Sequence, residues 1–291
     1  MPDKKCLFCD GPLTGRKSRD HPFPMWLLTH LGVCDEDVEP THIGYEKEFQ
    51  NGVANIVREY VAEQRSHPMQ AFVAGGVCAK CNNGWMSDIE TRAKPVLMPF
   101  IDGQRTLTQS RHDLPDPESL AIARWAVKTA YMIDRATPGQ DTVPTNHLHA
   151  LRSDPNRTPP GVRVFVGHQS SDAKVSWWSS PTWFGMHLED VSGYDAEAFD
   201  RLIGASYKIG MVVGKLLLLV AFFPDNAWAM VIAKGIHRLL WPPDARIGEV
   251  PFDPEHPVSV AEPLLKVFNG NLRIVHKPSL DRAPGMMQDL V

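Results

Sequence analysis

The chain has 291 residues, 43% hydrophobic and 22% charged, with a formal net charge of −4. This composition is that of a folded globular protein with a core of useful size, and it excludes disorder, collagen and coiled coil as the dominant state. The slight acidity excludes a large basic surface, so any nucleic-acid contact has to be a local patch.

The opening Met1–Lys5 is charged and leads straight into a cysteine pair, which reads as no secretory leader. The most apolar run, Ile209 to Phe223, is short and contains Lys215, so no membrane span is expected. A reducing, cytoplasmic setting is inferred. In chain order, residues 22–32 predict a short helix closed by Gly32. Residues 53–65 fit either a strand or a short helix. Residues 71–77 predict a strand turning through Gly75-Gly76. A helix is expected after Cys81, with Ser87 and Glu90 spaced as a capping box and Pro95 as a stop or kink.

Beyond residue 103 the pattern changes to helices and then strands. Asp116-Pro117 predicts a helix start, with Asp116 as N-cap and Pro117 at the first helical position, running to about Arg135. Leu120, Ala123, Val127, Ala130 and Tyr131 share one face of it and Arg124 and Lys128 another. A second helix is expected over 146–152. Strands are expected at 162–167, 175–179, 183–188, 207–213, 216–223 and 228–233, with a tight turn at Gly214-Lys215. Residues 244–263 read as an irregular acidic, proline-rich cover. The fold class expected is α+β with a mainly antiparallel sheet. The expected division is residues 1–103 as a zinc module and 104–291 as a second domain, for target recognition or self-association.

Four of the five cysteines form two Cys-x-x-Cys pairs, Cys6/Cys9 and Cys78/Cys81. Each pair can aim two sulfurs at one ion, so together they offer four thiolates to a structural zinc. Buried free thiols and a redox pair are the competing readings. Between the pairs lies Asp20-His21-Pro22-Phe23-Pro24, and Asn82 follows Cys81 directly. Cys-x-x-Cys, Asp-His-x-x-Pro and Cys-x-x-Cys-Asn together resemble the zinc-stapled HNH endonucleases, whose site is a ββα-metal module. The run Asn82–Ser87, with Trp26-Leu27-Leu28 upstream, is similar to an HNH-related group. The resemblance covers about residues 4–95.

The resemblance implies a metal-dependent hydrolysis of DNA. It implies His21 as the general base, since an ordinary imidazole titrates near neutrality. It implies Asp20 and Asn82 as ligands of a catalytic Mg²⁺ or Mn²⁺, for which oxygen donors are suited. In the family an asparagine or histidine before the second pair orients the base. Here Gln70 is the nearest candidate, and His42, Asn51, Asn55 and His67 lie in the insertion. Asn82 also reads as a helix cap. The alternative function is a non-catalytic zinc module that recognises nucleic acid or a protein.

Weaker signals remain. Lys4, Lys5, Arg16, Lys17 and Arg19 outnumber Asp3, Asp10 and Asp20 around the motif, as a phosphate rim or a solvated face would. Trp85 is expected to pack the helix after the knuckle. Trp177, Trp178, Trp183 and Phe184 suit sheet packing, or less readily base stacking. His147-x-His149 reads as helix surface before metal chelation. Cys34 reads as a buried thiol, with a minor reading as a ligand beside His30. Trp241-Pro242-Pro243 reads as a loop opener.

Overall fold

The computed structural model describes residues 5–13, 20–38, 41–50, 53–64, 66–105, 114–137, 141–168, 174–180, 197, 201, 205–224, 228–233, 238–243, 248–250 and 272–276. Helix α1 (Met25–Leu31) buries Leu27 and Leu28 and ends at Gly32 in the left-handed region, as its sequence predicts. Two short strands, β1 (Asp37–Val38) and β4 (His67–Pro68), pair at the base of a long antiparallel hairpin. That hairpin, β2 (Thr41–Gln50) with β3 (Val53–Gln64), is how the insertion between the cysteine pairs loops out. It settles residues 53–64 as strand.

Residues 71–77 are not the strand expected. Met69–Ala71 make one 3-10 turn, and a single antiparallel bridge joins Ala74 to Asp20. Gly76, at φ 85°, then turns the chain into the second cysteine pair, which ends any ladder there.

Helical backbone begins at Ala79 as α2 (Ala79–Cys81), with Cys78 as N-cap, and continues through a π segment (Asn82–Met86) into α3 (Ser87–Ile101). A kink at Gly84 separates the two parts. Ser87 therefore lies inside helical backbone, and the expected capping box does not form. Pro95 and Pro99 both sit within α3, so Pro95 is no stop. Burial of Ile89, Ala93, Leu97, Phe100 and Ile101 holds the helix through the hydrogen bonds that the prolines remove.

Helix α4 (Asp116–Ala136) starts one residue earlier than read. Pro115 is the N-cap, Asp116 the first helical residue and Pro117 the second, with no side-chain cap bond. Asp116 and Glu118 instead place negative charge in the first turn, where the helix dipole favours it. α5 (Thr145–Ser153) matches the expected second helix to within a residue at each end.

A five-stranded sheet follows, built of β5 (Arg163–His168), β6 (Val175–Ser180), β7 (Tyr207–Val213), β8 (Leu216–Phe222) and β10 (Arg238–Trp241). Its order is β10-β5-β8-β7-β6, and every pairing is antiparallel. β9 (Trp228–Ala233) pairs instead with β11 (Gly248–Val250), parallel, and with β12 (Leu272–His276), antiparallel. β11 is thus regular structure within the stretch expected to be irregular. The expected strand at 183–188 lies outside the described residues. The fold is α+β with a mainly antiparallel sheet.

α4 is the central element. It contacts α3 on one side and strands β5, β7, β8 and β10 on the other. This is why residues from Ser119 to Asp134 are buried nearly all round, Arg124 and Lys128 included. One continuous core runs from Cys6 and Phe8 through Leu97 and Trp125 to Leu218 and Leu240, so segments on both sides of residue 103 share it. The turn between β7 and β8 docks on the end of α3, where Lys215 N–H donates to the Ile101 carbonyl at 2.9 Å. Gly214 has φ 57°, and a Cβ there would lie 2.4 Å from that same carbonyl oxygen. Glycine is required there by space as well as by conformation. Among the described residues no helix is long and apolar enough to cross a membrane, and Ile209–Phe223 is two strands and a turn.

Candidate functional site

The first cysteine pair sits on a tight knuckle. Cys6 N–H donates to the Gly11 carbonyl at 2.8 Å, Asp10 N–H donates to the Cys6 carbonyl at 3.0 Å, and Asp10 takes φ 54° to close the turn. The second pair opens α2: the N–H groups of Cys81 and Asn82 both donate to the Cys78 carbonyl at 3.0 Å. Leu7 N–H donates to the Gly76 carbonyl at 2.9 Å, and Cys78 N–H points at Cys6 Sγ at 3.4 Å, so backbone bonds draw the two knuckles together.

The four sulfurs lie within 4.8 Å of one another, and Cys9 and Cys78 are 3.7 Å apart. A tetrahedron of ~2.3 Å metal–sulfur bonds has edges of about 3.8 Å. A disulfide needs about 2.05 Å, so the pairs are not bridged. All-sulfur donors at this spacing are geometrically compatible with zinc. The thiols differ before any metal binds. Burial pushes the Cys81 thiol up to about 12, against the Trp85 side chain. Burial also raises Cys78, but the Cys81 backbone N–H and the neighbouring thiols outweigh it and bring Cys78 down to about 7.

Asp20 enters this region through its backbone, its carbonyl accepting Ala74 N–H at 2.9 Å. Its side chain is buried, and Oδ2 has no hydrogen-bond partner. Burial pushes the Asp20 carboxyl up to about 6; Lys128 opposes the rise and Glu90 adds to it. Lys128 Nζ, wholly buried, donates to Glu90 Oε1 at 2.7 Å. Asp20 therefore lies in the field of an ion pair between the buried Lys128 of α4 and the half-buried Glu90 of α3. The sequence reading missed this grouping, taking Glu90 as a capping residue. The signal for it was a lysine in the middle of an otherwise apolar helix.

His21 follows Asp20 and is half-buried. Asn82 is half-buried at the start of the π segment, in right-handed helical backbone. Cys78 is the N-cap of α2, so Asn82, which closes α2 as its C-cap, is not an N-cap. Among the described residues, the cysteines are the one group of three or more His, Cys, Asp or Glu whose ligand atoms come together. The amide of Gln70, the expected orienting residue, donates to Asp35 Oδ1 at 2.7 Å. The His67 ring stacks on Phe72 and bonds the Pro68 carbonyl. His42 and Asn55 lie on the hairpin strands. Asn51, Lys4, Arg16, Lys17 and Arg19 lie outside the described residues.

The weaker signals resolve mostly toward packing. Trp85 meets Phe8 edge-on at 5.3 Å and so joins the helix to the first knuckle. Trp177 stacks on Phe72 at 4.5 Å and leans on Phe23. His147 and His149 do not converge. His147 Nδ1 lies 2.9 Å from the Tyr207 hydroxyl, and burial lowers its pKa to about 4, while His149 faces Asp10 at 3.4 Å. His30 pairs with Asp102 at 2.7 Å, and Cys34 stands apart from the four-sulfur cluster. Comparison with protein-family models, curated proteins and solved structures finds no match to this chain.

Proposed function

We propose that the chain is a metal-dependent endonuclease of the HNH type, hydrolysing DNA phosphodiester bonds. The observation that carries the reading is the path of the backbone. Asp20-His21 is bridged to Ala74, the chain then enters the second cysteine knuckle, and that knuckle starts the helix bearing Asn82. The four-sulfur cluster holds these pieces in place, with zinc as the ion suited to it. On this reading Cys6, Cys9, Cys78 and Cys81 hold structural zinc. Asp20 and Asn82 hold Mg²⁺ or Mn²⁺, and the unpartnered, buried Asp20 Oδ2 fits a missing cation. Such an ion supplies charge stabilisation at the phosphorus and leaving oxygen. His21 accepts the proton of the attacking water.

The test is plasmid cleavage with Mg²⁺ or Mn²⁺ by wild type and His21→Ala, with zinc content measured on both. Cleavage lost at equal zinc is expected; cleavage unchanged in the variant would sink the reading. A second reading is a zinc module that binds nucleic acid or a protein without catalysis. It is favoured by the Gln70 amide donating to Asp35 Oδ1, which commits the expected orienting side chain to another partner. It predicts one zinc per chain, no cleavage by wild type, and retained binding.

A further inference from the structure

The helix from Trp85 onward presents Trp85, Ile89, Arg92 and Val96 along one stripe, at i, i+4, i+7 and i+11. α4 presents Leu120 and Arg124 toward it, and the end of α5 adds Arg152. These stripes enclose an open groove of about 510 Å³, in the size range of small-ligand sites. Its floor is apolar.

Its charge is one-sided. Arg124 is buried, and its guanidinium donates to the carbonyls of Leu151 (2.8 Å), Asp154 and Arg157. That engages three of its five N–H donors and fixes its position. The positive charge of Arg92 is close enough to act against that of Arg124. Of the two acids in the lining, Glu118 is held by Arg105 at 3.1 Å, leaving Asp88. Three guanidiniums above an apolar floor suit a flat, apolar group carrying an anion. Lone phosphate leaves the floor uncovered, and a purely acidic chain such as polyglutamate has no flat ring to offer it.

We propose that this groove binds one nucleotide of a single nucleic-acid strand, with its base on the Trp85–Ile89–Leu120 floor and its phosphate between Arg92 and Arg152. The inference rests on the nucleic-acid reading above and adds where the strand lies. Trp85 touches Phe8 of the first knuckle and follows Asn82 by three residues, so the bound strand runs beside the zinc region.

The experiment is fluorescence anisotropy of a labelled 12-nucleotide single-stranded DNA with the full chain, without added Mg²⁺. Arg92 and Arg152 are exposed, so the double variant Arg92→Ala/Arg152→Ala leaves the fold intact, checked by zinc content and circular dichroism. It is expected to bind at least tenfold more weakly, with the log–log salt slope reduced by about 0.7 for each phosphate that is no longer neutralised. Leu120→Trp, which fills the floor, is expected to weaken binding at unchanged salt slope, and Arg92→Lys to retain most of it. Wild-type binding that the double variant leaves unchanged overturns the groove and spares the nucleic-acid reading. Absence of wild-type binding to single and double strands overturns both. Competition by polyglutamate equal to that by oligonucleotide also overturns the proposal, since it would show an anion site without a base.

Discussion

The region around the two knuckles and the region around α4 and the sheet reach order by different means. Near the knuckles much of the backbone is turns and single bridges, drawn together by four sulfurs and a few main-chain bonds. Around α4 the strands β7 and β8 are buried on both faces and the helix nearly all round. The first region adds a zinc-compatible four-sulfur cluster to its share of the core, whereas the second is held by apolar area removed from water. They meet at one polar place, where Lys128 of α4 reaches Glu90 of α3 beside Asp20. A buried charge there couples the stability of the second region to the candidate chemistry of the first.

The largest effect tests this contrast directly. Chelation of the bound metal, or Cys81→Ser, is expected to remove stabilisation on the order of 10 kcal/mol from the knuckle region. Hydrogen exchange should show amides 5–13 and 72–86 losing protection while β7 and β8 keep theirs. Simultaneous loss in both regions would break the contrast. Next in size is Glu90→Gln, which takes the carboxylate away from the wholly buried Lys128 Nζ. It should cost roughly 3–5 kcal/mol in urea unfolding, and adding Lys128→Met should recover much of that.

Leu218→Ala acts on the sheet alone. A cost of about 2–5 kcal/mol at unchanged zinc content is expected, because the residue is fully buried in the core beneath α4. The smallest effect is Asp20→Asn. The folded carboxyl is raised from 3.8 to about 6, so between those pH values the native state binds more protons than the unfolded one. Stability therefore falls as pH rises through that window and stays lower at pH 7. The amide is expected to regain on the order of 1–3 kcal/mol at pH 7 without Mg²⁺, and to show no such pH dependence. On the proposed function it also abolishes cleavage. An Asp20→Asn protein no more stable than wild type would show that Lys128 already compensates the burial.

Local pattern was enough for α1, α5, β7, β9 and the Gly214 turn, each set by short-range periodicity or a turn residue. It failed at Ser87 and Pro95, where local capping and breaking rules lost to a helix already begun at Ala79 and anchored by its apolar face. It also set Lys128 on a face apart from the apolar one, whereas Lys128 is wholly buried, as is Lys208 in β7. Charge burial depends on which elements pack together, and no window of sequence contains that.

By itself, then, the sequence determined the four thiolates, the α+β character and the Asp20-His21 and Asn82 positions, because spacing and composition are local properties. The tertiary structure alone decided that the four sulfurs converge, that Gln70 belongs to Asp35, and that Glu90 and Lys128 face Asp20. It alone opened an arginine-lined groove beside Trp85. Each of these joins residues dozens of positions apart: main-chain bonds between the knuckles gather the sulfurs, and packing of α4 on α3 brings Lys128 to Glu90 and opens the groove.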